Sequence, residues 1–217
     1  GGGGGYNNLN LRSYSEGMFY STPDKEVFCM KSAKKILALI LAGVMALALL
    51  TGCGKAASLN RTIAEGLAEH AKSLFAQQGN THNISVSYQV PELSRDIAPL
   101  FDENWITKDN SDDDVLNRNH TVNGKTVEAT LTDILSPYNS AVGVNFLAAD
   151  VTDVKTPFVE ALNLVNSLIS LFIVNGEVKN DSYSKIDYAS ITSLKVAVTH
   201  KTVNGRTYAL AVVIAEK

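Results

Sequence analysis

The chain has 217 residues, of which 19 are basic and 22 are acidic, and its formal net charge at pH 7 is −3. This acidic balance, with no basic patch along the sequence, argues against nucleic acid or an anionic membrane surface as a partner. The sequence also contains no Gly-x-Ser-x-Gly nucleophile motif and no glycine loop for binding phosphate, so the common signatures of hydrolases and nucleotide-binding enzymes are excluded.

Residues 1–29 differ from the rest of the chain in composition. They begin with five glycines, carry few aliphatic residues and show no hydrophobic periodicity. Such a segment cannot bury enough apolar surface to offset the entropy lost on ordering, so we expect it to be disordered. We interpret it as upstream sequence translated in error, with Met30 as the true start.

Residues 30–52 have the three parts of a bacterial signal peptide. A basic cluster of Lys31, Lys34 and Lys35 precedes an apolar run from Ile36 to Leu50. A permanent transmembrane helix takes roughly 20 apolar residues and this run has only about 15, so we predict a cleaved signal rather than a membrane anchor.

The tetrapeptide Leu50-Thr51-Gly52-Cys53 resembles the lipobox of bacterial lipoproteins. The resemblance implies cleavage between Gly52 and Cys53 and a diacylglyceryl thioether on Cys53, with palmitate-type acyl chains. Residues 53–58 would then form a lipidated tether. The expected location is the cell envelope, on the outer face of the cytoplasmic membrane or, in a host with two membranes, on the periplasmic side of the outer membrane.

Cleavage would leave 165 residues, enough for one domain with a hydrophobic core, which we place at 59–217. The cleaved part contains five basic and three acidic residues, so the mature chain would carry a formal charge of −5. Cys53 would be the only remaining cysteine. We therefore expect neither a disulfide nor a cysteine-based metal or redox site.

The first half of this domain predicts one helix, one strand and a long loop. Leu59, Ile63, Leu67 and Leu74 recur at helical spacing, and Gly79 ends the pattern. Residues 84–90 alternate between apolar and polar, which indicates a half-buried strand that ends at Pro91. We expect Trp105 to anchor the loop that follows through its large apolar area.

An acidic run lies in this loop and could in principle bind calcium through hard oxygen ligands. It comprises Asp109, Asp112, Asp113 and Asp114. The run lacks the mid-loop glycine and the distant bidentate glutamate of an EF-hand, whose twelfth position would be His120. We therefore favour a solvated loop.

The second half predicts two helices and three strands. Val127, Leu131, Ile134 and Leu135 lie on one helical face, and residues 141–149 are predicted to form a strand. Thr156-Pro157 is typical of a helix start, and we expect that helix to continue through residue 172. Asn175-Gly176 would end it.

The last thirty residues predict a β-hairpin, because Asn204-Gly205 suits a two-residue type I′ turn between two β-rich segments. Its second strand has no polar face, so we expect it to be buried on both sides.

The overall prediction is an α+β fold: a central, mostly antiparallel sheet with helices on both faces, an α–β–α sandwich. The similar segments 120–126 and 200–207 are interpreted as two similar turns in preference to a functional repeat.

Two segments resemble the CAP superfamily of secreted proteins. They are "LAEHAKSLFAQQGNTHN" (67–83) and "LKVAVTHKTVNGRTYALAVVI" (194–214). The resemblance implies an α–β–α sandwich and places His82 where the family has its first cavity histidine. The family's Gly-Glu-Asn-Ile motif has only "GVNF" (143–146) as its counterpart, and no histidine follows the helix at 157–172. The metal-binding cavity of some members is therefore not expected.

The four histidines, His70, His82, His120 and His200, share no zinc-ligand spacing, so we expect no catalytic metal and no cofactor.

Two functional hypotheses remain. The first is a noncatalytic, membrane-anchored surface lipoprotein that binds a protein, a glycan or a small apolar ligand. The second is an envelope hydrolase whose degenerate CAP-like cavity combines His82 with Glu69 or Asp102. The second requires His82 to lie within hydrogen-bonding reach of a carboxylate in a cleft.

Overall fold

The computed structural model describes residues 59–179 and 186–217. The lipobox cysteine Cys53, the signal segment 30–52 and the segments 1–29 and 53–58 lie outside these residues. Within the two described ranges, no helix has both the length and the apolar character that crossing a bilayer would take.

The described chain is a mixed α/β structure with three α-helices, one six-stranded sheet and two small hairpins. The helices are α1 (Leu59–Gln77), α2 (Val127–Ile134) and α3 (Pro157–Asn166). The small hairpins pair β2 (Ile106–Lys108) with β3 (Asp114–Leu116), and β4 (Thr121–Val122) with β5 (Lys125–Thr126). The strands of the main sheet are β1 (Ser85–Ser87), β6 (Gly143–Asp150), β7 (Ser170–Val174), β8 (Glu177–Lys179), β9 (Ser193–Val203) and β10 (Arg206–Glu216).

The strands of the main sheet lie in the order β1-β9-β10-β6-β7-β8. Only β1 and β9 run parallel, and the other pairings are antiparallel. The predicted mostly antiparallel sheet and the C-terminal hairpin are confirmed. The predicted strand at 84–90 is shorter than expected, since β1 is an edge strand that pairs only over Ser85–Ser87.

Strand β10 lies between β9 and β6 and is buried on both sides, as predicted. Leu210 and Val212 belong to a hydrophobic cluster that includes Leu131 of α2. Ala209 and Ala211, on the opposite side of the strand, belong to a second cluster that contains residues of α1 and α3. The small alanine side chains allow these two helices to pack close to the sheet.

Helix α1 follows the predicted periodicity. Ile63 and Leu67 are buried, and Gly79 ends the helical segment with a φ of +89°. Leu59 was expected on the buried face but is 46% exposed, because it is the first residue of the helix. The predicted apolar face of α2 is confirmed, with Val127 and Leu131 fully buried.

Three Asn-Gly pairs form hairpin turns in which both residues have positive φ. The φ values are 49° and 79° at Asn204-Gly205, 50° and 82° at Asn123-Gly124, and 51° and 74° at Asn175-Gly176. This is the backbone geometry of a type I′ turn. The similar segments around 123 and 204 are therefore two turns of one type, as interpreted.

The helix predicted to run from 157 to 172 is shorter than expected, and this prediction was wrong. Helix α3 ends at Asn166, and residues 170–174 form β7. Ser167 is extended, its hydroxyl donates to the carbonyl of Ala148, and it accepts from the backbone N–H of Ile169. Beyond Ser167 every second residue is buried, which is the pattern of a strand that pairs with β6. Asn175-Gly176 is therefore a hairpin turn and not a helix end.

Trp105 anchors the loop as predicted and is fully buried. Its ring centroid lies 5.5 Å from that of Phe101 and 6.2 Å from that of Phe146 on the central sheet. The loop between α1 and α2 is thus attached to the core by aromatic packing.

Candidate functional site

A cavity of about 160 Å³ lies between α1 and one face of the main sheet. The floor consists of residues from three neighbouring strands, and the roof is the inner face of α1. The floor includes Gly143, Asn145, Leu147, Phe172 and Val213. The roof residues are Leu67, His70, Ala71, Leu74 and Phe75. The lining is therefore mainly apolar, with a few polar groups.

The alternation of strand side chains explains why this floor exists. Gly143, Asn145 and Leu147 point to the face covered by α1 and α3, since their neighbours Val144 and Phe146 belong to the opposite cluster. Gly143 leaves room for an aromatic ring, because a Cβ added there would lie 3.1 Å from Cζ of Phe172.

Asn145 is the polar residue at the centre of the floor. It pairs with Val213 on β10 and with Phe172 on β7, so its side chain lies between two apolar neighbours. Its Oδ1 atom is buried and has no hydrogen-bond partner among the described residues. A buried acceptor without a partner costs about 1 to 3 kcal/mol, so this atom destabilises the fold unless something donates to it.

His70 lies in the roof of the cavity, and burial lowers its pKa below the usual 6.5 by disfavouring the charged ring. At neutral pH the imidazole is therefore uncharged and offers one donor and one acceptor. Ser167 also lines the cavity, but its hydroxyl is already engaged with Ala148 and Ile169.

A second polar cluster lies around His200 of β9. Its Nε2 is 2.6 Å from Oε2 of Glu160, and its Nδ1 is 2.7 Å from Oδ1 of Asn60. Glu160 is buried and lies in the first turn of α3, where the helix dipole favours a negative charge. A doubly protonated ring donates to both partners, whereas a neutral ring requires the amide of Asn60 to be turned. In either case both ring nitrogens have hydrogen-bond partners within the protein. The ring is therefore better suited to a structural role than to proton transfer to a substrate.

The residues predicted for a CAP-like cavity lie on different elements. His82 is exposed and its backbone N–H donates to Oδ1 of Asn80. Glu69 forms an ion pair with Lys72 at 2.5 Å, and Asp102 caps a short helical turn by accepting from the backbone N–H of Asn104. Within the described ranges, no hydrogen bond or ion pair joins any two of His82, Glu69 and Asp102.

The acidic run forms the turn between β2 and β3. Asp109 accepts from the backbone N–H groups of Ser111 and Asp113, and Lys108 forms an ion pair with Asp114. Across the part of the chain that the structure describes, no group of three or more His, Cys, Asp or Glu residues is placed to hold a metal ion.

Compared with protein-family models, with curated proteins and with solved structures, the chain matches none of them. The cavity therefore has to be interpreted from its own residues. Sequence reasoning missed Asn145 and His70. The available signal was the single polar residue in the apolar strand "GVNFLAA", but a strand's partners and covering helix are needed before such a residue can be assigned to a cavity.

Proposed function

We propose that this chain is a lipid-anchored bacterial envelope protein that binds a small, mainly apolar ligand without catalysis. The observation that carries the proposal is the cavity beneath α1, whose lining is mainly apolar and includes the polar residues Asn145 and His70. Ligand sites typically combine an apolar lining with a few placed polar groups. The lipobox at Cys53 and the signal segment 30–52 support attachment to the outer face of a membrane.

The fold offers a second line of support. We infer that α1 and α3 on one face of the sheet, and α2 on the other, form the α–β–α sandwich that the CAP resemblance implies. The cavity then lies between the sheet and a helical layer, and each face of the sheet is packed by its own hydrophobic cluster. Such a scaffold can keep a small cavity open, because closing it would require the layers to shift together.

The volume limits the size of the ligand. A cavity of about 150 Å³ lined by aliphatic and aromatic side chains binds benzene in a well-studied engineered case, and the cavity here is about 160 Å³. The proposed ligand is therefore a benzene-sized group, either a whole molecule or the apolar end of a larger one.

Ligand-observed ¹⁹F NMR with fluorobenzene tests this proposal. The full 217-residue chain is fused to a soluble carrier protein, and the carrier alone serves as the blank. Ala71→Leu fills the cavity from the roof, whereas Ala76→Leu adds the same group at an exposed position of the same helix. We expect saturable binding to the wild type and to Ala76→Leu and none to Ala71→Leu. Equal binding to all three would show that the cavity is not the site.

Anchoring is tested separately by Cys53→Ser in a bacterial host. Because Cys53 is the predicted acceptor of the lipid, the variant should lose incorporation of labelled palmitate and leave the protein uncleaved or released from the membrane. Lipid attachment by two or three acyl chains is durable, whereas one chain is marginal. Normal membrane retention of the unlabelled variant would contradict the anchor.

A further inference from the structure

We infer that the outer face of α3 is an interaction surface for lipid, and that it lies against the headgroup region of the membrane that holds Cys53. The inference rests on the lipid anchor of the proposed function and adds the orientation of the domain on the bilayer. It follows from the composition of α3, from its position on the sheet and from the length of the tether 53–58.

The outer face of α3 is apolar. Glu160 is the only charged residue of this helix, and it is buried beside His200. Val159 is 38% exposed, while Phe158 and Leu162 are half-buried and lie outside both hydrophobic clusters of the described residues. The three apolar residues are three or four positions apart or adjacent, so they share one side of the helix. A surface helix normally carries charged residues on its outer face, so this face is suited to an apolar partner.

Helix α1 covers the same face of the sheet but has a charged outer surface. Arg61 pairs with Glu65 at 2.8 Å, and Lys72 pairs with Glu69 at 2.5 Å. Removing these ions from water would be costly. The helix that can lie against lipid is therefore α3 and not α1, and the contact is apolar rather than electrostatic.

Helix α3 lies at the end of the sheet where α1 begins. In its first turn Glu160 is bonded to His200 of β9, which also contacts Asn60 of α1. Just beyond its last residue, the hydroxyl of Ser167 donates to the carbonyl of Ala148 in β6. Across β10, Ala148 lies opposite the residue that precedes His200. The helix thus crosses from β9 to β6 at the same level as the start of α1.

Exposed apolar side chains are concentrated around α3. Among the described residues, the large apolar ones that are exposed are Leu59, Val159 and Leu168. Val159 lies in α3, Leu168 follows the end of α3 by two residues, and Leu59 precedes Asn60, which His200 joins to α3. Single exposed apolar residues are common, but a group of them around one helix indicates an interaction surface.

The length of chain between the lipid and α1 identifies the partner as the bilayer. After cleavage, residues 53–58 would separate the acyl chains from Leu59, and even a fully extended chain of this length spans only about 20 Å. A domain of this size is about 40 Å across, so the end that carries the start of α1 and α3 has to stay near the headgroups. A weak apolar contact then suffices, because the anchor keeps its effective concentration high.

Lipids that carry a nitroxide quencher locate the surface. The full chain is produced in a bacterial host, and the lipidated protein is reconstituted in phosphatidylcholine vesicles. Because Cys29 belongs to the part that cleavage removes and Cys53 would carry the lipid, one new cysteine can be labelled with a fluorescent maleimide. Val159→Cys and Leu162→Cys place the label on the outer face of α3. Ser136→Cys places it at an exposed position beyond α2, on the opposite face of the sheet.

We expect the nitroxide lipids to quench both labels on α3 about threefold or more as strongly as the label at Ser136. An interfacial helix lies about 5 to 10 Å into the boundary between headgroups and acyl chains, whereas Ser136 would lie on the far side of the domain. The wild type should take up no maleimide, since lipidation leaves it without a free thiol.

The outcomes separate this inference from the anchor itself. Equal quenching at Val159 and Ser136, in a protein whose wild type takes up no maleimide, would overturn the orientation and leave the anchor intact. Shielding of the Val159 label from aqueous iodide without quenching by the lipids would mean that a protein covers α3, and would overturn the inference as well. Uptake of maleimide by the wild type would show that Cys53 is not lipidated and would overturn the inference together with the anchor.

Discussion

His200 of β9 lies 2.6 Å from the carboxylate of Glu160 in the first turn of α3, and its other ring nitrogen lies 2.7 Å from Asn60 near the start of α1. One imidazole therefore connects the sheet to both helices of one face. Since α1 forms the roof of the cavity and contacts α3, this connection holds the roof in place. The cluster supports the cavity without lining it.

His200→Ala should lower the free energy of unfolding by about 2 to 4 kcal/mol, because it leaves the buried carboxylate of Glu160 without its partner. Asn60→Ala removes only one hydrogen bond and should cost about 1 kcal/mol. Urea unfolding followed by circular dichroism measures both. Thr202→Ala, at an exposed position of the same strand, is the matched control. A His200→Ala protein as stable as the control would show that the pair contributes nothing.

Asn145→Leu should stabilise the ligand-free protein. Replacing the unpartnered acceptor by an apolar group of similar size removes a penalty of about 1 to 3 kcal/mol. Thermal unfolding should show a higher midpoint than the wild type. A lower midpoint would mean that Oδ1 is satisfied within the protein.

The stability of the fold should depend on pH through His70. Its pKa is lowered by burial in the folded state, whereas the unfolded chain titrates near 6.5, so the unfolded state binds the proton first as the pH falls. His70 should therefore cost no stability at pH 8 and an increasing amount below about pH 6.5. His70→Gln should reduce the loss of unfolding free energy between pH 7 and pH 5. Parallel curves for variant and wild type would contradict the burial of the ring.

A charged substitution at Val212 tests whether β10 is a buried central strand. The Val212 side chain is fully buried in the cluster that includes Leu131 of α2, so Val212→Asp would place an unpaired charge in the core at a cost comparable to the stability of a typical domain. The variant should not fold, whereas Thr202→Asp on the exposed side of the hairpin should. An unchanged melting curve for Val212→Asp would show that the strand can move to relieve the charge.

The hairpin and the first helix could be predicted because their signals are local. Asn204-Gly205 specifies a turn through its own backbone preference, and the spacing of Ile63 and Leu67 marks one face of a helix. The segment after Asn166 could not be assigned from local signals. Its apolar residues suit a helix or a strand equally, and only pairing with β6 decides between them.

The site could not be predicted for a related reason. Asn145, His70 and Phe172 are 27 to 102 residues apart in the chain, and they meet at one cavity only because β6 pairs with β7 and α1 packs on the sheet. The same is true of His200, Glu160 and Asn60, which come from three elements. The CAP resemblance pointed instead to His82, because a resemblance in the order of elements does not determine which side chains converge.

We propose that a small apolar molecule occupies the space between α1 and the sheet. Intermolecular nuclear Overhauser effects between fluorobenzene and the methyl-labelled full-length protein locate such a molecule. We expect contacts from one bound ring to Leu74 in the roof and to Val213 in the floor. Contacts only to the exposed apolar residues Leu59, Val159 and Leu168 would mean adsorption to the surface and would contradict it.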